Sequence, residues 1–157
     1  MSRNYIKKNY KGIKGILVVA VDRRRLNLLL NALNLIEKKD ISLFKKILKR
    51  FKIIFIPTAR GNLNGTYEKD RVWITEGGIL SENYTSFVAS LIIHEAHHVS
   101  QYLTGHKYKI PSSEISALVE QKKFLKKIDD NLSLNWLDKE LEKEWWNDVV
   151  GNKRSTA

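Results

Sequence analysis

The sequence of 157 residues contains no cysteine, which excludes a disulfide scaffold and any zinc site built on thiolates. It also lacks a long apolar run, because the longest one extends only from Ile16 to Val21. A membrane-spanning helix needs roughly 18 apolar residues, so no membrane span is expected. The run is also too short for a signal peptide, and the arginines at positions 23 to 25 make a poor cleavage region. We therefore expect a cytoplasmic protein.

Acidic residues are scarce relative to basic ones, with 17 Asp and Glu against 28 Lys and Arg and a net charge of +11. Such an excess is compatible with a nucleic-acid partner or another anionic surface. The basic residues are dispersed, however, and no recognisable nucleic-acid motif accompanies them. Solvated helix faces are therefore the preferred interpretation. The main clusters lie in residues 1–14 and at 38–39, 45–46, 49–52, 122–123 and 126–127.

The sequence does contain enough apolar material for one folded domain, with 43% hydrophobic residues and four tryptophans. We expect residues 1–14 to form a basic, mobile arm, residues 15–150 the single domain, and residues 151–157 a tail. Residues 134–150 are predicted to form an amphipathic C-terminal helix. The hydrophobic pattern predicts an α+β fold, in which helices flank a small mixed or antiparallel sheet. The expected strands are 16–21, 51–56, 66–67 and 71–75, and the expected helices are about 23–39, 42–50, 86–103 and 112–129.

The segment His94-Glu95-Ala96-His97-His98 carries an H-E-x-x-H motif. On a helix, positions i and i+4 lie on the same face, so His94 and His98 can both direct an imidazole nitrogen at one metal ion. Glu95 lies beside them, where a carboxylate can accept a proton from water that the metal activates. His97 has no role in the motif and is expected to be a surface or supporting residue. The motif therefore predicts a Zn²⁺ site with Glu95 as general base.

The setting of the motif favours this interpretation over a solvated patch of histidines. The helix expected from Ser86 to Leu103 can be capped by Thr85 or Ser86, and Gly105 follows its end. Its apolar residues recur at helical spacing, and the histidine pair falls outside this stripe. One face of the helix is then free for the core and another for a cleft. The stripe consists of Ile92, Ala96, Val99 and Leu103.

The third ligand is less constrained by the sequence. A catalytic zinc site usually has three protein ligands and keeps a fourth position open for water. The metzincin pattern is excluded, because Gln101 and Thr104 stand where it needs a glycine and a third histidine. The remaining candidates are Glu114, Glu120 and His106.

Glu114 is the preferred candidate among these three. It lies in the first turn of the second expected helix, where it would face back toward His94 and His98 if the two helices pack side by side. Ala117, one turn later, is small enough to allow a close approach of the helices. A purely structural alternative also exists, because an acid in a first turn stabilises the helix dipole.

The motifs taken together resemble those of the gluzincin metallopeptidases, and more narrowly the single-domain minigluzincin type. The resemblance extends over about residues 22 to 128. The residues that carry it are His94-Glu95-x-x-His98-x-x-Gln101 and Glu114-x-x-Ala117-x-x-x-Gln121. It implies a zincin-like domain that holds zinc between two consecutive helices, with His94, His98 and Glu114 as ligands and Glu95 as general base.

The function expected from these residues is zinc-dependent hydrolysis of peptide bonds in a peptide or protein substrate. An edge strand beside the metal, either 71–75 or 62–67, would offer its backbone to an extended substrate. A donor that stabilises the oxyanion could come from Tyr102, Tyr108 or His106, none of which is preferred. The alternative is a regulatory or nucleic-acid-associated protein on a zincin scaffold, with catalysis vestigial or restricted to one protein partner. The intact general base speaks against a vestigial site.

Overall fold

The computed structural model describes residues 9–56, 64–67, 71–75, 85–106 and 111–142. Within these ranges the chain forms five strands and five helices. The strands are β1 (Tyr10–Ile13), β2 (Ile16–Ala20), β3 (Ile53–Ile56), β4 (Asn64–Tyr67) and β5 (Val72–Thr75). The helices are α1 (Arg23–Lys39), α2 (Ile41–Arg50), α3 (Thr85–Leu103), α4 (Ser112–Lys127) and α5 (Asn131–Glu142).

The five strands form one mixed sheet in the order β1-β2-β3-β5-β4. The two central pairings, of β3 with β2 and with β5, are parallel, whereas β1 and β4 run antiparallel to their neighbours at the two edges. The expected α+β fold with a small mixed sheet is thereby confirmed. Two segments were considered for the edge strand. The prediction for 71–75 is wrong, because β5 lies between β3 and β4 inside the sheet. Strand β4 lies at the edge, and residues 62 and 63 are outside the described residues.

The first strand extends the sheet into the segment expected to be a mobile arm. Tyr10 pairs with Val19, and the two strands are joined by Lys14 and Gly15. Both turn residues have positive φ, 47° and 97°, as a two-residue type I′ hairpin requires. The side chains of β1 are largely exposed, so backbone pairing holds this strand and no buried alternation announces it. The mobile arm was expected to extend to residue 14, but residues 10–13 belong to the sheet as β1. Residues 1–8 lie outside the described residues.

Two aspartates define the first pair of helices. The carboxylate of Asp22 accepts a hydrogen bond from the backbone N–H of Arg25 at 2.8 Å, and α1 begins at the next residue. Asp40 both ends α1 and begins α2, where its carboxylate accepts from the N–H of Leu43 at 3.0 Å. A side-chain acceptor at the N-cap satisfies a backbone donor that the helix itself leaves open. These caps explain why a continuous leucine-rich segment folds as two helices.

Helix α3 lies at the centre of the molecule and contacts α1, α2, α4 and β4. Its apolar face joins α1 and one face of the sheet in a single core, where Val18, Ile54 and Trp73 form a fully buried row across three strands. The expected stripe is buried at Ile92, Ala96 and Val99 but not at Leu103, which is 53% exposed. Leu103 lies in the last turn, beyond the packed part of the helix. Burial on three sides leaves the position and rotation of α3 little freedom.

The end of α3 is marked by Gly105, whose φ is +79°. Its N–H donates to the carbonyl of Tyr102 at 3.0 Å, and the N–H of His106 donates to the carbonyl of Gln101 at 2.9 Å. This pair of hydrogen bonds is the Schellman arrangement, which favours glycine because the left-handed conformation strains a residue with a Cβ. The chain can therefore leave α3 sharply before α4 begins at Ser112.

The C-terminal helix α5 packs against α4 through a small second cluster of Leu118, Leu125 and Leu137. It begins at Asn131, three residues before the predicted start at 134, and residues 143–150 of the predicted helix lie outside the described residues. Among the residues that the structure describes, no helix has the length and the apolar character needed to cross a membrane.

Candidate metal centre

The two motif histidines lie on one face of α3, as their spacing predicts. His94 is 8% exposed and His98 is 5% exposed. Their ring centroids are 5.0 Å apart, and the rings are inclined by 77°. Because α3 continues for two turns before His94 and more than one turn after His98, the backbone that carries both rings is regular helix. The pair is therefore preorganised and shielded from solvent.

Helix α4 brings Glu114 against this pair. The Oε2 atom of Glu114 lies 3.3 Å from Nε2 of His94, and its Oε1 atom lies 3.1 Å from Nε2 of His98. Glu114 is 6% exposed, and Ala117, one turn later on α4, is fully buried. The structure thus brings together the three residues that the sequence predicts as ligands. One ligand atom from each lies within 4.8 Å of the others.

The two rejected candidates for the third ligand lie elsewhere. Glu120 pairs with Lys123 at 3.1 Å and lines a surface groove together with His97. His106 is exposed beyond the end of α3, with Nδ1 2.8 Å from the hydroxyl of Thr104. Neither belongs to the buried group, so the structure favours Glu114 among the three candidates.

The donor atoms match a metal-ion site in chemistry, and the separations of Glu114 from the two histidines match such a site in spacing. Two imidazoles and one carboxylate form a donor set found in catalytic zinc sites, with zinc–nitrogen distances of about 2.0 to 2.1 Å. Tetrahedral geometry at that radius places two ligand atoms about 3.3 Å apart, and the observed separations from Glu114 are 3.1 and 3.3 Å. The two nitrogens face different oxygens of the same carboxylate. The group therefore has the size and composition that a small divalent cation requires.

The electrostatics of the group also favour a positive charge at its centre. The pKa of His98 is raised, although burial on its own lowers it, because the hydrogen bond and charge of Glu114 and the charge of Glu95 raise it by more. Glu95 follows His94 on α3 and is itself 8% exposed. Two carboxylates close to two imidazoles leave the site short of positive charge, which a proton or a metal cation can supply.

Two glutamines contact the other ring nitrogens of the ligand histidines. Nδ1 of His94 lies 3.0 Å from Oε1 of Gln121, and Nδ1 of His98 lies 3.0 Å from Oε1 of Gln101. Sequence reasoning gave neither glutamine a role. A signal was present, because Gln101 follows His98 by three residues and Gln121 follows Glu114 by seven, and both intervals keep residues on one helix face.

His97 lies outside the metal group, in agreement with the expectation that it supports and does not ligate. Its Nε2 lies 2.8 Å from the hydroxyl of Ser116 on α4. The pKa of His97 is lowered, chiefly because burial disfavours the charged ring, while the charge of Glu120 acts in the opposite direction. The hydrogen bond joins α3 to α4 beside the metal group without entering it.

Two of the three residues considered for oxyanion stabilisation are described by the structure, and both are exposed. Tyr102 lies in the last turn of α3 and is 48% exposed. His106 contacts Thr104, and Tyr108 lies outside the described residues.

Comparison of the chain with protein-family models, with curated proteins and with solved structures finds no match in any of the three. An assignment of function to this chain therefore rests on the residues and geometry of the site itself.

Proposed function

We propose that the protein is a zinc-dependent metallopeptidase of the gluzincin type, with a zincin-like domain. The observation that carries the proposal is the burial of His94, His98 and Glu114 around one point, with Glu95 next to them in the same helix. Two imidazoles and a carboxylate that meet at one buried point are the kind of ligand set that a cation binds in proteins. A bound cation would interact with all three side chains at once.

The roles follow from the positions of the side chains. His94, His98 and Glu114 would hold the ion, and zinc bound there would supply the Lewis acidity that polarises a carbonyl and lowers the pKa of water to about 7. Glu95 accepts the proton of the attacking water and returns it to the leaving amine. Its low exposure keeps bulk water away from the carboxylate that moves the proton.

A peptide substrate is favoured by the strand that lies next to the metal helix. Strand β4 forms one edge of the sheet and contacts α3. An edge strand has unpaired backbone groups, which an extended peptide can use by adding a further strand. The substrate would then run along β4 and past α3, which carries both histidines and Glu95.

Within the part of the chain that the structure describes, the nucleic-acid alternative receives no comparable support. On α4, three of the lysines contact carboxylates, in the pairs Lys122–Asp138, Lys123–Glu120 and Lys127–Asp40 at 2.6, 3.1 and 3.0 Å. A surface whose cations are neutralised by acids attracts phosphate less than its lysine count suggests. These pairs fit the preferred interpretation of solvated, charge-balanced helix faces.

Replacement of the general base tests the proposal. The zinc-loaded wild type is expected to cleave unstructured protein, to lose activity with a chelator and to regain it with zinc. Glu95→Gln keeps the size of the side chain and removes the proton acceptor, so the rate should fall by about 10²- to 10⁴-fold while zinc content is unchanged. Glu120→Gln is the matched control, because it removes a carboxylate outside the group. Wild-type hydrolysis by the Glu95→Gln variant would contradict the mechanism, and failure of the zinc-loaded wild type to cleave would contradict the peptidase.

A further inference from the structure

Gln101 and Gln121 approach the ligand histidines from the side away from Glu114. In both rings Nε2 faces the Glu114 carboxylate and Nδ1 faces a glutamine oxygen at 3.0 Å. We infer that the two glutamines are positioning residues, which keep the proton of each ring on Nδ1 and direct the lone pair of Nε2 at the metal. The inference rests on the metal site of the proposed function but does not depend on its hydrolytic step.

The orientation of the Gln121 amide is fixed by a chain of hydrogen bonds that ends at a backbone carbonyl. The hydroxyl of Ser90 lies 2.6 Å from the carbonyl oxygen of Phe87, which can only accept, so Ser90 donates to it. The oxygen of Ser90 is then an acceptor for the amide nitrogen of Gln121, 3.0 Å away. The amide oxygen must therefore face His94. Since a carbonyl oxygen only accepts, Nδ1 of His94 has to carry the hydrogen.

The two linking side chains in this series of hydrogen bonds, Ser90 and Gln121, are closed to bulk water. Ser90 is 0% exposed and Gln121 is 1% exposed. Reversal of the Gln121 amide would place its oxygen against the Ser90 oxygen and its NH₂ group against Nδ1–H of His94. Both contacts would leave buried donors or acceptors unsatisfied, each at a cost of about 1 to 3 kcal/mol. The tautomer of His94 is thus set by a residue 31 positions before Gln121 in the chain.

Gln101 favours the same tautomer in His98, but the orientation of its own amide is less constrained. Its amide nitrogen donates to the carbonyl of Ser113 at 3.5 Å, the limit of a hydrogen bond. Gln101 is also only partly buried, so solvent can replace its contacts. We expect Gln121 to contribute more to metal affinity than Gln101 does.

Because the partners of the two histidines are amides and not carboxylates, they add no charge to the site. Metal-ligating histidines usually donate their second N–H to a carboxylate, a backbone carbonyl or water. A neutral amide fixes the ring without adding charge to a site that already contains the Glu95 and Glu114 carboxylates. The side chain therefore orients the ligand while leaving the charge of the site unchanged.

A purely structural role for Gln121, as a buried link between α3 and α4, makes a different prediction, and zinc affinity separates the two. Gln121→Met keeps the volume and removes the acceptor, whereas Gln121→Glu keeps the acceptor and buries a charge. A positioning role predicts that the Met variant loses zinc affinity about 10- to 100-fold and that the Glu variant keeps it. A packing role predicts that Met is tolerated and that Glu is the damaging change.

Ser116→Ala is the matched control, because it removes a different side-chain hydrogen bond between the same two helices, to His97 at 2.8 Å. Dissociation constants from competition with a chromogenic chelator should be the same for this variant as for wild type. Gln101→Met should fall between Ser116→Ala and Gln121→Met. Equal zinc affinity of wild type and Gln121→Met would overturn the inference.

Nitrogen-15 NMR of the zinc-loaded wild type gives a readout that does not require activity. We expect His94 and His98 to show a protonated Nδ1, with the His94 proton exchanging slowly with water and faster in Gln121→Met if that variant folds.

A ring bound through Nδ1 with a protonated Nε2 would overturn the inference while leaving the metal centre in place. A wild type that takes up no zinc would overturn both. A wild type that binds zinc with the expected tautomers but cleaves nothing would overturn only the peptidase.

Discussion

The two sides of the contact between α3 and α4 both carry histidine and glutamate, but in different environments. On one side, His94, His98 and Glu114 form a closed group in which each residue is less than a tenth exposed. On the other, His97 bonds to Ser116 at the margin of an open groove lined by Glu120. Three histidines within five positions of the sequence therefore separate into a buried pair and a half-buried single residue.

The pKa values of neighbouring histidines express this difference. Burial lowers the pKa of both His97 and His98, but Glu114 reverses the effect at His98, whose pKa is raised overall. At His97 the charge of Glu120 does not outweigh burial, and the pKa is lowered. A histidine near a carboxylate is thus not by itself a cation site. Direct contact within a closed group makes the difference.

The largest expected effect is on zinc content, and a pair of alanine variants, one on each side of the contact, measures it. His98→Ala removes a ligand and should abolish stoichiometric zinc, since loss of a ligand costs more than the roughly 10- to 100-fold of an outer partner. His97→Ala removes an imidazole one residue away and should keep one zinc per chain. Elemental analysis of the two purified variants beside wild type checks this. Equal zinc content in both variants would remove the distinction between the two sides.

The two glutamates of α4 provide a second and smaller contrast. Glu114→Ala leaves both histidines in place, so we expect weakened rather than absent zinc binding, with a clear rise in the dissociation constant. Glu120→Ala removes an acid that pairs with Lys123 at the surface, and the dissociation constant should not change. Chelator competition at one pH measures both. A larger loss in Glu120→Ala than in Glu114→Ala would transfer the ligand role to the groove side.

The parts of the site that the sequence predicted are those set by local geometry. The H-E-x-x-H spacing fixes His94 and His98 on one helix face whatever the helix packs against. Glu114 could be preferred because it begins the next helix after a short reversal. Gln121 could not be assigned, because its contact with His94 depends on the rotation and depth of α4 against α3. Those are set by packing at positions such as Ala117.

In the sheet, too, the features set by local sequence were predicted and those set by long-range pairing were not. Strands β2 and β3 were predicted from compact apolar runs, since their side chains are buried on the core face. Strand β1 was missed because its side chains are exposed and only its backbone is paired. The edge position of β4 could not be derived from the sequence either, because β5 is placed next to β3 by long-range pairing and not by chain order.

The smallest expected effect concerns Asp40, which joins α2 to α4 on the groove side. Its carboxylate accepts from the N–H of Leu43 at 3.0 Å and from Lys127 at 3.0 Å. Burial on its own raises the pKa of Asp40, but these hydrogen bonds and the charge of Lys127 lower it by more. A folded pKa below the unfolded value of about 3.9 stabilises the protein above that pH. This contribution is lost as the pH falls through the lowered folded pKa.

Asp40→Asn retains an N-cap acceptor and removes the charge, whereas Asp40→Ala removes both. We expect Asp40→Ala to lower the free energy of unfolding by about 1 kcal/mol near neutral pH and Asp40→Asn to lower it by less. The difference between wild type and Asp40→Asn should shrink from neutral pH into the acidic range and disappear once the pH has fallen through the lowered folded pKa of Asp40, where the wild-type carboxylate becomes protonated. Urea denaturation across that range measures both effects. Zinc affinity near neutral pH should be the same in all three proteins, because Asp40 stabilises the scaffold on the side of α4 that holds no ligand. A zinc affinity that fell with Asp40→Asn would mean that the groove side and the metal side are coupled through α4.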